Sequence, residues 1–131
     1  MRHLTSEEAN LLANNFLALA RAAGDYRFAN WKNLSGTEKE ELGNLQDCLL
    51  DQGEKILAQS VSLVMDEVAQ SLNSIQIITN KIKDALQQLK DLQKVINIGA
   101  AAVTLGSAIL TKDLTAIGEG IAGLATTVKE S

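Results

Sequence analysis

Apolar residues recur at threes and fours along most of this chain, the spacing of amphipathic helix, and the pattern predicts helix nearly everywhere. The first helix runs from about Ser6 to Ala23. Thr5 can cap it, with Glu8 three residues on to return the bond, and Gly24 is placed to end it in a left-handed conformation. Leu11, Leu12, Phe16, Leu19 and Ala20 share one of its faces. A second start signal lies at Leu34–Glu40, where either Ser35 with Glu38 or Thr37 with Glu40 forms a capping box. From there Leu42, Leu45, Leu49, Ile56, Leu57, Val61, Val64, Val68 and Leu72 predict either one long helix or two broken at Gln52-Gly53, and continuity with a weak spot at Gly53 is the preferred reading.

Asn73-Ser74 reads as the next boundary, because both side chains compete for backbone groups. Beyond it Ile75, Ile78, Ile82, Ala85, Leu89, Leu92 and Ile96 alternate threes and fours, a coiled-coil seam of about three heptads. The helix continues to about Leu110. A turn follows at Thr111-Lys112-Asp113, capped by Asp113 or Thr111, and then a final helix to about Val128. The predicted architecture is a single all-α domain over residues 1–131. It is an antiparallel bundle of four or five helices with one long central helical hairpin, Thr37–Leu72 against Ile75–Leu110.

Charge supports that hairpin. Between Glu38 and Glu67 eight acids stand against Lys39 and Lys55, whereas Lys81 to Lys94 holds four lysines against Asp84 and Asp91, so antiparallel pairing would bring opposite signs together. Proline is absent from the 131 residues, which suits unbroken helix. With 46% hydrophobic and 21% charged residues, the composition excludes a collagenous or charge-dominated disordered chain. The formal net charge of −4 repels a phosphate backbone and argues against nucleic acid as a partner. One cysteine, Cys48, has no partner for an intrachain disulfide, and with an N-terminus that turns acidic by its seventh residue a conventional secretory signal is not expected. The expected location is cytoplasmic or peripheral to a membrane.

Candidate chemistry is sparse. His3 precedes the first helix and Cys48 sits among acids that disfavour a thiolate, so neither a cysteine nucleophile nor a zinc site is expected. No Glu-x-x-His pair offers a carboxylate metal centre, and no cofactor is implied. Glu7-Glu8, Glu40-Glu41 and Asp66-Glu67 read as caps and solvated faces rather than acid–base pairs. Gly118-x-Gly120 lacks the preceding strand and third glycine of a phosphate loop. The expectation is a non-enzymatic protein.

Two features carry more information. Tyr26, Phe28 and Trp31 lie together with Arg27 and Lys32 in the expected first connection. They either dock a partner or a lipid interface, or fold back and plug the end of the bundle. The run Val95–Thr111 is uncharged over 17 residues, and a second small-residue stretch follows it. Gly99, Ala102, Gly106, Ala116, Gly120 and Gly123 permit close helix approach in lipid or in a protein core. As a transmembrane hairpin this tail falls short of about 20 apolar residues and holds Asn97, Thr104, Ser107 and Glu119; as a buried hairpin it fits comfortably.

A heptad helix running into a small-residue apolar helix, a polar turn, and then Leu-Thr-Ala-Ile-Gly-Glu-Gly-Ile-Ala-Gly-Leu is similar to the hydrophobic head hairpin of bacterial α-helical pore-forming toxins. It also resembles the compact helical cell-death effector domains of fungi and bacteria. The likeness spans about Ile75 to Val128 and implies a soluble bundle that inserts its hairpin into a bilayer. The chain departs from the toxins in lacking their longer tail helices and longer apolar tongue. The expected function is therefore a latent membrane-inserting effector. The alternative is a soluble interaction or scaffold domain that self-associates or binds a protein through its heptad seam.

Overall fold

Two reciprocal capping boxes start the first two helices of the computed structural model, which describes residues 2–59, 62–65, 68–88 and 91–129. Thr5 Oγ1 accepts from the Glu8 amide at 3.1 Å while Glu8 returns 2.8 Å to the Thr5 amide, opening α1 at Ser6–Ala29. Ser35 and Glu38 repeat the arrangement for α2, Gly36–Ala58, which resolves the two-residue ambiguity of register in favour of Ser35. A 3-10 turn at Trp31–Asn33 joins them. There follow α3 (Val68–Gln88), α4 (Leu92–Thr111) and α5 (Leu114–Lys129). Arg2–His3 (β1) and Val64–Met65 (β2) pair antiparallel, Arg2 with Met65 and His3 with Val64. This short clasp ties the segment before α1 to the segment before α3.

The protein is an all-α bundle of five helices. Their principal contacts close a ring: α1 on α2, α2 on α4, α4 on α5, α5 on α3 and α3 on α1. One continuous core fills it, with Phe16, Leu12, Leu42, Leu49, Ile56, Ile75, Ile82, Ile98, Leu105 and Ile109 all less than 2% exposed. Burying each such side chain contributes about 1.5–3 kcal/mol. The two sequence-adjacent hairpins, α1–α2 and α4–α5, run antiparallel. By contrast α2 and α4 run parallel, since Leu45 meets Gly99 and, one and a half to two turns on in both helices, Gln52 meets Gly106.

Several boundaries differ from those the periodicity predicts. Gly24 does not end α1, and no glycine among the described residues is left-handed. Gly24 is instead a point of close approach, where a Cβ would lie 2.5 Å from Gln46 Nε2. Likewise Gly53 interrupts nothing; it is buried inside α2 where a Cβ would lie 2.8 Å from Leu17 Cδ2. The predicted Thr37–Leu72 helix ends at Ala58. Ser62 turns the chain by donating both its amide and its hydroxyl to the Gln59 carbonyl, each at 2.9 Å. Leu63, Val64 and Met65 are then buried consecutively as extended backbone, and the Leu4 amide donates to the Leu63 carbonyl.

Asn73-Ser74 lies inside α3, between buried Leu72 and Ile75. The predicted Ile75–Leu110 helix breaks at Asp91, whose Oδ1 accepts from the Gln93 amide at 3.0 Å and caps α4. The heptad seam is thereby split. Ile75, Ile78 and Ile82 are buried in α3, while Leu92 and Ile96 are half-buried on α4; Leu89 and the Ala85 side chain lie outside the described residues. Nor does the acidic helix lie along the lysine-rich one, because α2 is held between α1 and α4. Lys55 pairs instead with Asp51 one turn away, at 2.9 Å. Val61, Asp66, Glu67 and Lys90 lie outside the described residues.

Glycine substitutions separate the two roles of this residue. Gly118 has nothing within 4 Å of a Cβ position, so Gly118→Ala is expected to raise stability by up to about 1 kcal/mol through helix propensity. Gly53→Ala is expected to lower it, because overpacking against Leu17 and the Ala13 carbonyl costs roughly 1–3 kcal/mol and outweighs the same gain. Urea unfolding midpoints of the two variants against the parent check both signs.

Candidate functional site

The small-residue hairpin divides by role along its length. Gly99 admits Leu45, whose Cδ1 would lie 2.8 Å from a Cβ there; Ala102 is 1% exposed; and Gly106 admits the Gln52 side chain. These three seat α4 on α2. The chain then turns at Lys112, which is left-handed at φ 61° and carries the conformation usually given to glycine. Asp113 starts α5, its Oδ1 accepting from the Ala116 amide at 3.1 Å. Gly120 packs on α4, with a Cβ position 3.2 Å from the Leu105 backbone. Gly123 meets nothing within 4 Å and, with half-buried Ala116, borders an outward groove of about 520 Å³ between α4 and α5. In α5 only Ile117 and Leu124 are buried, so its outer surface is small and weakly polar.

Several polar residues of these helices bond within them. Thr104 Oγ1 donates to the Ala100 carbonyl at 3.0 Å, Thr126 to Ala122 at 3.0 Å and Thr127 to Gly123 at 2.9 Å; Thr111 donates to Ala108 at 3.1 Å. Gln93 Nε2 donates to Asn97 Oδ1 at 2.9 Å, one turn along α4. Such bonds travel with the helix wherever it goes. Gln52 of α2, 5% exposed, reaches across to α4, where its Nε2 donates to the Val103 carbonyl at 2.9 Å and to Ser107 Oγ at 3.3 Å. Its Oε1 is buried with no protein partner. Nothing in the hydrophobic pattern marks Gln52; the one available signal is a glutamine on the helix face shared by Leu45, Leu49 and Ile56.

The aromatic cluster lies within the end of α1 and the turn after it rather than in a loop, and it separates. Tyr26 is buried in the core, Phe28 is 83% exposed and Trp31 is 44% exposed. Trp31 lies between two cations, Lys39 Nζ at 4.2 Å and Arg27 Cζ at 5.0 Å from the ring centroid, each worth about 0.5–1 kcal/mol at such a site. Arg27 crosses over Gly43 to reach there, and its Nε donates 2.8 Å to the Lys39 carbonyl. This clasp ties the end of α1 to the start of α2 across the turn that joins them.

His3 sits in β1, while Cys48 is half-buried in mid-α2. Glu8 serves a capping box, and Glu40 and Glu41 are exposed in the first turns of α2. No group of three or more His, Cys, Asp or Glu placed to hold a metal occurs among the described residues. Comparison with protein-family models, curated proteins and solved structures finds no match.

Burial first, then the carboxylates of Asp91 and Glu38, push the Tyr26 phenol above its ordinary value of 10.0. The folded chain therefore holds this proton more tightly than the unfolded one. Its contribution to stability is complete below pH 10.0 and is lost as pH rises through the elevated folded value. Tyr26→Phe is expected to flatten the alkaline fall in urea midpoint above pH 10.0 without altering it near neutrality beyond a constant offset.

Proposed function

We propose that this chain is a non-enzymatic helical effector module whose α4–α5 hairpin leaves the bundle and enters a bilayer. The observation that carries the reading is the self-contained polarity of the hairpin. Thr104, Thr111 and Thr126 donate to carbonyls of their own helices and Asn97 accepts from Gln93, so these groups need few new partners in lipid, whereas Ser107, which now accepts from Gln52, and Glu119 enter without one. Among the described residues α4 is the one helix long and apolar enough to cross a membrane, and 44% of its apolar window is buried in the bundle. Its 20 residues reach about 30 Å, the thickness of a hydrocarbon core. Across the turn, α5 bears Glu119 and Lys129 as its charges. The texture shared with the head hairpins of α-helical pore-forming toxins and with helical cell-death effectors supports the same reading, and a cytoplasmic chain that becomes peripheral to a membrane fits it.

The alternative, a soluble interaction or scaffold domain, is favoured by the exposed Phe28 rather than by the heptad seam, whose Ile75, Ile78 and Ile82 are taken up by the core. Dye release from anionic and neutral vesicles across pH separates the two. Release is expected for the membrane reading; absence of both leakage and lipid association under every condition removes it. Gly106→Glu is a poor probe because the bundle itself needs that space for Gln52. Gly123→Glu is the better one: the position is open in the folded chain, while a carboxylate in the bilayer costs about 3 kcal/mol, so release should fall with the melting temperature unchanged.

Gln52→Met tests the link to α2. It removes the partnerless buried oxygen together with the two bonds of Nε2 while keeping the volume; Val103 lies inside α4 and Ser107 is exposed to water, so stability is expected to be equal or up to about 1 kcal/mol higher. Vesicle release should slow accordingly, read as the leakage half-time.

A further inference from the structure

Leu63, Val64 and Met65 are buried in succession as extended backbone, so their peptide groups need partners from another part of the chain. Residues 2–4 supply them. Arg2 pairs with Met65 and His3 with Val64, and the Leu4 amide donates 3.0 Å to the Leu63 carbonyl. The Leu4 side chain enters the same core as Leu63, Met65 and Ile117 of α5. Residues 2–4 thus lie as a strap over the buried segment. It is a short contact: two residue pairs, one further hydrogen bond and one buried leucine, a size that opens locally while the rest of a bundle stays closed.

What the strap holds reaches beyond its own neighbourhood. Besides α4, the elements that α5 chiefly touches are α3 and β2. Both depend on the strapped segment, since β2 is part of it and α3 starts at Val68 just after it. The α1–α2 contact is secured elsewhere, by the side chains seated at Gly24, Gly43 and Gly53 and by the Arg27–Trp31–Lys39 clasp at the opposite end of α1. A disturbance of residues 2–4 therefore passes to α5 through β2 and α3, and leaves α1 on α2.

We propose that residues 2–4 are a lock on the α4–α5 hairpin. In place, they fix β2, and through it the entry of the chain into α3, the two elements on which α5 rests; displaced, they free α5 before the α1–α2 contact opens. That the freed hairpin then enters a bilayer rests on the function proposed above, whereas the lock itself does not.

Hydrogen exchange read by mass spectrometry on the full chain, without lipid, tests the lock. His3→Cys with Val64→Cys puts a thiol pair on directly opposed residues of the ribbon, and Cys48→Ser removes the third thiol. In the oxidised protein, exchange of residues 114–129 is expected to slow at least about tenfold more than that of α2, and to recover on reduction. Leu4→Ala, which leaves the backbone bonds in place, should quicken exchange in α5 more than in α2. An α5 indifferent to both changes overturns the lock, and so does an equal change in α2 and α5, which marks a uniform effect on stability. The oxidised protein should also release no dye from phosphatidylserine vesicles until it is reduced. Release indifferent to the cross-link overturns the lock and leaves the membrane reading in place. Exchange in α5 that follows the cross-link, in a chain that never releases dye, upholds the lock and removes the membrane reading.

Discussion

Glycine stands at five crossings of α2 with its neighbours, and the bundle depends on the close approach these permit. Gly24, Gly43 and Gly53 bring α1 onto one flank of α2; Gly99 and Gly106 bring α4 onto the other. Each position admits a side chain, Gln46, Arg27, Leu17, Leu45 or Gln52, into space that a methyl group would fill. At Gly53 the Ala13 carbonyl crowds the position beside Leu17, and in an interior packed close to the density of organic crystals that space is the hardest of the five to recover, since flexible side-chain ends stand at the others. With α2 gripped on both sides, α3 is left to pack on α1 and α5, and the ring closes.

The two flanks of α2 are unlike in kind. Toward α1 the contact is long, antiparallel and reinforced by the Arg27–Trp31–Lys39 clasp. Toward α4 it is parallel, with a buried glutamine amide in which one end is bonded and the other is not. A buried polar group without a partner costs about 1–3 kcal/mol, so the α2–α4 contact holds a term that favours separation. In the hairpin beyond it Thr104, Thr111, Thr126 and Thr127 donate within their own helices and Asn97 accepts from Gln93, while Gln52 reaches across from α2 to Val103 and Ser107.

The all-α class, the capping boxes at Thr5 and Ser35, and the α4–turn–α5 hairpin were legible in the sequence, because caps and amphipathic spacing are local and are satisfied within a few turns of helix. The breaks after Ala58 and before Asp91 were not, since apolar spacing continues through both; β2 forms only because β1, about sixty residues earlier in the chain, supplies its partner. The same holds for Gly24 and Gly53, where a residue that reads locally as a helix terminator is retained for a neighbour that only the packed structure brings near. Of the aromatic cluster, the sequence placed Tyr26, Phe28 and Trp31 together, but which one enters the core was decided by their directions around α1 relative to α2. Local hydrogen bonding wrote the elements; helix-to-helix contact chose their lengths, their order around the core and the faces left bare.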